Sequence, residues 1–341
     1  MKVWHVVSEE NQVVTGLKDV DGVDAFMLSP VQSLVMSFFA IRGKYDIIHF
    51  HYLQVQMDSS VHPLVSVLKF FSFLLNLVVM KAAGIKIVWT GHHVESHEAS
   101  IPAIDKLGRR LVVSLADHIF VLEPPVQNQI EREYSMGGDL SVARLGDPRI
   151  FHHEKDAGDS SKINFPEVGP VITMIGNLRP YKRVPLGIRA VAELNGTESM
   201  LIAGNPLSEE LEGEIQSSID RYPVDVTTEF GFVADEDILE YVERSDVVLI
   251  LNDQETVPAT ALLSAAFQTP VVTVPGGVKE FLVDEYNLGV VAETDSAEAI
   301  ADAIQDILSN PPEIDHTSFL SDHSWGAYTE HHLEVYETLT S

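Results

Sequence analysis

Two cations three residues apart, Arg179 and Lys182 in the run GNLRPYK (176–182), are the side chains best placed to do chemistry. A guanidinium and an ammonium held in one turn form a receptor for an anion, phosphate above all. Gly176 and Asn177 open the same turn and are read with it as substrate-binding. A second run, LNDQETVPAT (251–260), offers Glu255 as an acceptor for sugar hydroxyls. Thr256 is suited to cap the helix that follows, and Pro258, Ala259 and Thr260 to form its first turn. Unpaired N–H groups and the helix dipole there favour negative charge. Two cations and a helix start describe a diphosphate site. The plainer reading is a solvated turn with two surface charges; only 22 of 341 residues are Lys or Arg, so a pair in such a turn asks for a reason.

A third run, TGHHVESHE (90–98), holds three histidines and two glutamates. Zinc ligation, plain loop polarity, and a substrate-contacting His92 at the end of a strand are the readings open to it; the helical H-E-x-x-H order is absent. His49 and His51 in YDIIHFHYL (45–53) alternate onto one face of a strand and are read as core polar residues. No G-x-S-x-G elbow, P-loop or G-x-G-x-x-G is present, so hydrolase, kinase and dinucleotide readings lack their motif.

These loops need strands before them and helices after. MKVWHVV (1–7), 45–53, 85–90, 117–124 and 141–146 read as strands, with helices over Ala25–Ile41, 61–80, 111–116 and 126–134. After the polar stretch DPRIFHHEKDAGDSSKINFPE (147–167), strands are expected at 171–175, 199–203, 225–229, 247–251, 271–274 and 289–291. Helices fall between them at 184–194, 209–221, 235–244, 259–267, 279–284 and 296–309, and a last one covers 324–339. Alternation with short turns predicts an α/β protein of two doubly wound parallel sheets, facing across a cleft. The expected division is 1–150, a linker at 151–167, a second domain at 168–322, and a C-terminal helix, 323–341, crossing back to the first.

Apolar residues make up 45% of the chain, enough for two cores. A formal charge of −29 repels nucleic acid and anionic headgroups. Spread along the whole chain, it suits a protein kept soluble in high salt, and a halophilic source is expected. With no cysteine there is no disulfide or thiolate site. The N-terminal residues lack the apolar core of a secretory signal, which leads to a cytoplasmic expectation. The stretch 61–80 is the most apolar; its runs, broken by Pro63, Lys69 and Asn76, read as too short to span a bilayer. A core helix and a membrane-docking face are its two readings.

Taken in order, GNLRPYKR, MLIAG, EFGFVADEDILEYVERSDVVLI, TPVVTVPGGVKEFL and the closing SW…Y…VYETL resemble the retaining glycosyltransferases of family 4, which have the GT-B fold. The resemblance covers nearly all of 171–339. It implies that Arg179 and Lys182 bind the donor's diphosphate, that Gly231, Phe232 and Val233 lie near the nucleotide base, and that His92 is the active-site histidine. It further implies a nucleoside-diphosphate sugar as substrate, with GDP-mannose favoured by the R-P-Y-K run, no metal or other cofactor, and a glycan or lipid-linked acceptor. An enzyme of that kind would stand in the cytoplasm or at the inner membrane face, touching the membrane through 61–80. Two departures stand out. The second of the family's paired glutamates falls on Leu263, with Gln268 in place of the following glycine, and the first strand lacks its glycine-rich turn. An epimerase or phosphorylase on the same fold, or a non-catalytic nucleotide-sugar-binding protein, are the alternatives; a nicotinamide dehydrogenase fits least.

Overall fold

Valine- and isoleucine-rich runs such as VWHV, IIHF, VITMI and VVLI become strands buried on both faces, as parallel sheets require. The structure is a computed structural model that describes residues 1–8, 11–57, 63–92, 101–151, 164–253 and 257–341. It divides into one unit of Met1–Gly146 with His323–Ser341, and a second of Asp147–Asp322.

The first unit holds β1 (Val3–Val6), β2 (Val23–Ala25), β3 (Ile47–Phe50), β4 (Lys86–Gly91), β5 (His118–Val121) and β6 (Asp139–Val142), in the order β2-β1-β3-β4-β5-β6. Every pairing is parallel. Its helices are α1 (Pro30–Ser33), α2 (Met36–Gly43), α3 (Leu53–Met57), α4 (Pro63–Ala82), α5 (Pro102–Leu115), α6 (Pro124–Glu133) and α14 (Trp325–Thr340). The last comes from the far end of the chain and sets Tyr328 and Tyr336 into the core against Val3, Ile47, Val88 and Phe120.

The second unit holds β7 (Val171–Ile175), β8 (Ser199–Gly204), β9 (Asp225–Phe230), β10 (Val247–Ile250), β11 (Val271–Thr273) and β12 (Gly289–Val291). Between and after them run α7 (Val184–Ala192), α8 (Glu209–Arg221), α9 (Asp235–Arg244), α10 (Ala259–Phe267), α11 (Gly277–Glu285), α12 (Ala297–Ser309) and α13 (His316–Asp322). The strand order, β12-β11-β10-β7-β8-β9, is again all parallel. It reverses direction between β7 and β10, and the crevice beyond the carboxyl ends of such a pair is where open α/β sheets take ligands.

The periodicity over Ala25–Ile41 predicts one helix, but Ala25 closes the strand β2. Ser29 caps a short helix at Pro30 with a capping box to Gln32, and the chain breaks at Leu34–Val35 before α2. Proline fits only the first turn of a helix, which sets that start. The apolar stretch forms one continuous 20-residue helix, α4. It is long and apolar enough to cross a membrane by length and composition, so the expectation of runs too short to span is corrected. Its polar residues are absorbed: Lys69 Nζ donates to the Val55 carbonyl at 2.9 Å, and Asn76 Nδ2 donates to the Leu34 carbonyl at 3.0 Å.

Candidate active site

All strands of the second sheet are parallel, so the loops after β7, β8, β9 and β10 leave one edge. The loop after β7 is Gly176–Arg183, with a 3-10 turn at Pro180–Lys182. It is strapped to the loop after β8: Leu178 N–H donates to the Asn205 carbonyl at 3.0 Å and Leu207 N–H to the Leu178 carbonyl at 3.0 Å. Glycine is needed where these loops meet. A Cβ on Gly204, at φ +143°, would lie 2.0 Å from the Gly176 carbonyl oxygen. Gly176 itself sits at φ +93°, with Lys182 Nζ 3.0 Å from where its Cβ would be.

Arg179 is half-buried, one of its guanidinium nitrogens donating to the carbonyls of Leu178 at 3.0 Å and Asn205 at 3.3 Å. The stem of Lys182 is partly exposed, but its amine is folded under the loop and donates to the Ile175 carbonyl at 2.7 Å. Burial, and then the nearby Arg179 charge, lower this amine to about pKa 8. A desolvated ammonium beside a guanidinium is a site whose positive charge is paid for by the fold until an anion arrives.

Across the switch point, Asp253 N–H donates to the Tyr181 carbonyl at 3.2 Å and ties the loop after β10 to the cation turn. Pro258 is the buried N-cap of α10; Ala259 is exposed and Thr260 half-buried. The first turn of that helix leaves N–H groups without intrahelical partners. Glu255 and Thr256 lie outside the described residues. The loop after β9 carries Gly231, whose N–H donates to the Gly204 carbonyl at 3.1 Å, then Phe232 and the half-buried Val233. Phe232 is 92% exposed, an aromatic face presented bare at the sheet edge. The exposed Asn177 and the Gly276–Gly277 turn after β11 stand at the same edge. Gly176, Asn177, Arg179, Lys182, Gly231–Val233 and Pro258–Thr260 are thus brought to one sheet edge.

His92 belongs to the other unit. It follows β4, its ring stacked on Tyr52 at 4.7 Å and its N–H donating to the Thr90 carbonyl at 3.2 Å. The rest of the histidine-rich run, 93–98, lies outside the described residues. His49 and His51 do share a face, with rings stacked 4.4 Å apart. Both are buried in a hydrogen-bond chain that spacing alone does not disclose. Thr90 Oγ1 meets His49 Nε2 at 2.7 Å, His49 Nδ1 meets the Tyr336 hydroxyl at 2.6 Å, that hydroxyl meets His5 Nε2 at 3.1 Å, and His5 Nδ1 meets His51 Nε2 at 2.9 Å.

Burial lowers His5 to about pKa 3 and holds His49, His51 and His332 well below the ordinary imidazole value. Neutral rings each donate once and accept once, so the chain has a single sense. The short Tyr336 contact suits O–H donation to His49; His49 then donates to Thr90, His5 to Tyr336, and His51 to His5. Nitrogens of His5, His49 and His51 come within 4.8 Å of one another, as metal ligands would. The His51 ring, however, is tilted only 18° and 20° from its two neighbours, so the lone pairs run alongside one another, and both His49 nitrogens are bonded. The set is built as a proton-ordered strut between β1, β3, β4 and α14.

Residues 157–326 match the family described as Glycosyl transferases group 1. D-inositol 3-phosphate glycosyltransferase of Saccharomonospora viridis is 24% identical over 289 residues, 79% of this chain and 63% of that protein. The enzyme of that name in Rhodococcus jostii is 24% identical over 62% of this chain and 49% of its own length, so the chain spans only 49% to 63% of the length of these two relatives. Among solved structures, Anabaena HepE in complex with UDP superposes over 99% of this chain and 100% of its own at a TM-score of 0.73 and 13% identity. Sucrose-phosphate synthase from Thermosynechococcus elongatus covers 91% of this chain and 77% of its own at 0.69 and 19%. Two six-stranded parallel sheets of this kind are the GT-B fold, and it is residues 157–326, in the second unit and its flanks, that match the glycosyl transferases group 1 family.

Proposed function

We propose that this protein is a retaining hexosyltransferase that moves a sugar from a nucleoside diphosphate to a glycan or lipid-linked acceptor. The observation that carries this reading is the meeting of Arg179, Lys182 and the start of α10 on either side of the β7/β10 switch point. The donor's diphosphate would take the place of the Ile175 carbonyl as partner of the Lys182 amine, and Arg179 would bond its second phosphate. Phe232 would stack on the base. Glu255, beyond the described residues, would bind sugar hydroxyls, and Thr260 would serve where Leu263 stands for the second glutamate.

In the reaction, the bond between the anomeric carbon and the distal phosphate oxygen breaks as the acceptor oxygen bonds to that carbon from the same face. The acceptor's proton passes to the departing phosphate. Negative charge grows on that phosphate, and the two cations with the helix N–H groups stabilise it in place of a metal. His92, oriented by its stack on Tyr52, would hold the sugar or the reacting oxygens.

GDP-mannose is the donor that the R-P-Y-K run favours. HepE, solved with UDP-glucose, makes that nucleotide sugar the competing candidate. Thermal shift against a panel of nucleotide sugars separates them, since a bound donor stabilises by mass action. Arg179→Ala should lower turnover about 100- to 1,000-fold, the usual cost of one lost charge-stabilising donor; unchanged turnover would refute the assignment. Product formed without an acceptor would point instead to an epimerase, and binding without turnover to a non-catalytic protein. The acidic surface suits a cytoplasm of high salt, and a melting temperature that fell on adding molar KCl would count against that.

A further inference from the structure

The helices α1 to α4 contain no Asp or Glu, in a chain that has 51 of them. Residues 25–115 carry eight cations against five carboxylates, although the whole chain stands at −29. The same stretch presents a broad apolar surface. On α4, Leu64, Leu68, Phe71, Leu75 and Val78 recur at spacings of four and three, each between 57% and 68% exposed. Beside them Val31, Leu34, Val35, Phe38 and Ile41 of the α1–α2 segment are exposed too.

The two helices are fastened side by side. Ser37 N–H donates to Asn76 Oδ1 at 2.8 Å, and Ser72 Oγ donates to the Leu34 carbonyl at 2.7 Å. Polar groups of α4 are thereby turned inward and its outer side is left wholly apolar. Exposed Arg42 and Lys44 close the end of α2, and exposed Arg110 lies on α5, which packs against α4. An apolar face with cations at its margins, on helices that carry no carboxylate and with exposed Asp46 already accepting from the Lys2 N–H, complements one kind of surface.

We infer that the α1–α2–α4 face docks on an anionic lipid bilayer. The helices lie in the plane of the membrane, the apolar side chains enter the acyl boundary, and Arg42, Lys44 and Arg110 sit at the level of the phosphates. A spanning α4 is disfavoured because Phe70, Phe73, Leu77 and Met80 are buried in the unit and would have to be pulled from it. The charge asymmetry favours lipid over a second copy, which would bring like-charged rims together. This placement rests on the proposed reaction only for its purpose, delivery of sugar to a lipid-linked acceptor.

The test is flotation of the full chain with phosphatidylglycerol or phosphatidylcholine vesicles, in molar KCl and at the lowest salt that keeps the native melting transition. The wild type should float with phosphatidylglycerol, more at lower salt. Phe71→Glu with Leu75→Glu should cut partitioning about a hundredfold, two apolar side chains no longer being buried. Arg42→Glu with Lys44→Glu should cut it about fivefold for each cation removed, and only on the anionic vesicles. Melting temperature and nucleotide-sugar binding should be unchanged in both variants, which keeps folding and donor site apart from docking. A folded wild type that stays unbound in every condition overturns the inference. So does a dimer in sedimentation that the Phe71/Leu75 variant splits, which gives the face to a second copy. Failure to bind any nucleotide sugar, with flotation intact, would sink the proposed reaction and leave the docking face standing.

Discussion

Acid should unfold the first unit well before it titrates the protein's carboxylates. His5 is held at about pKa 3 in the fold and returns to about 6.5 when unfolded. The unfolded chain therefore binds more protons between those values, and stability is lost as pH falls through 6.5. From pH 7.5 to 5.0 the linkage amounts to about 2 kcal/mol for this one ring. His49, His51 and His332 are shifted the same way and share the cluster, so their shares add in sign but not in size. Even two such rings would remove a large part of an ordinary stability of about 5–15 kcal/mol. Burial pushes the Asp147 carboxyl up, but its bonds to Arg149 and the charge beside it outweigh that and lower it. It lies in the second unit, and its share of stability is lost only as pH falls below its ordinary value of 3.8 and through the lowered one. The assay is denaturant unfolding at fixed salt from pH 7.5 to 5.0, followed by tryptophan fluorescence. All three tryptophans, Trp4, Trp89 and Trp325, are in the first unit, so the signal reports that unit. His5→Gln should flatten the pH dependence by roughly the share of one ring. A midpoint that did not move between pH 7.5 and 5.0 would refute the reasoning.

Three further outcomes are expected. Donor affinity should weaken as pH rises through about 8, because the Lys182 cation present below that value is lost above it; a flat affinity from pH 6.5 to 9 in calorimetry would separate Lys182 from the diphosphate. Gly204→Ala should abolish donor binding with a loss of about 1–3 kcal/mol in stability, since its new methyl meets the Gly176 carbonyl oxygen; crystallography or a thermal melt of the variant checks this. Tyr336→Phe should cost about 1–3 kcal/mol, the price of two buried imidazole nitrogens left without a partner, and chemical denaturation at pH 7.5 measures it.

The loops of the second unit were legible because glycine, proline and paired cations punctuate apolar runs, and those punctuation marks coincide with strand ends. GNLRPYK and the helix start at Pro258 stand where spacing puts them. The strand β2 was not legible: VDA is three residues long and carries a charge, so neither alternation nor an apolar run marks it. The helix α13 is only seven residues long and mostly polar, so no apolar periodicity marks it either. In the first unit, parity places His49 and His51 together, but register is invisible in one sequence. Pairing of His5 with His49 across β1 and β3 and the arrival of Tyr336 from 287 residues away make the cluster. The retracted Lys182 amine likewise depends on a backbone carbonyl, and no residue type announces that.

The clustering of Met1–Gly146 with His323–Ser341 has a consequence for how the protein is made. Asp147–Asp322 is continuous in the chain and can close its core while the ribosome is still at work. The first unit, although its sheet is made earlier, lacks α14 until residues 325–340 follow, and until then Phe120 is without the His332 ring and the strut from His49 to His5 is without Tyr336. The half synthesised first is thus the half finished last. The apolar face of α4, made early and left bare by the finished fold as well, is offered from the outset to chaperones, to other nascent chains or to a nearby bilayer.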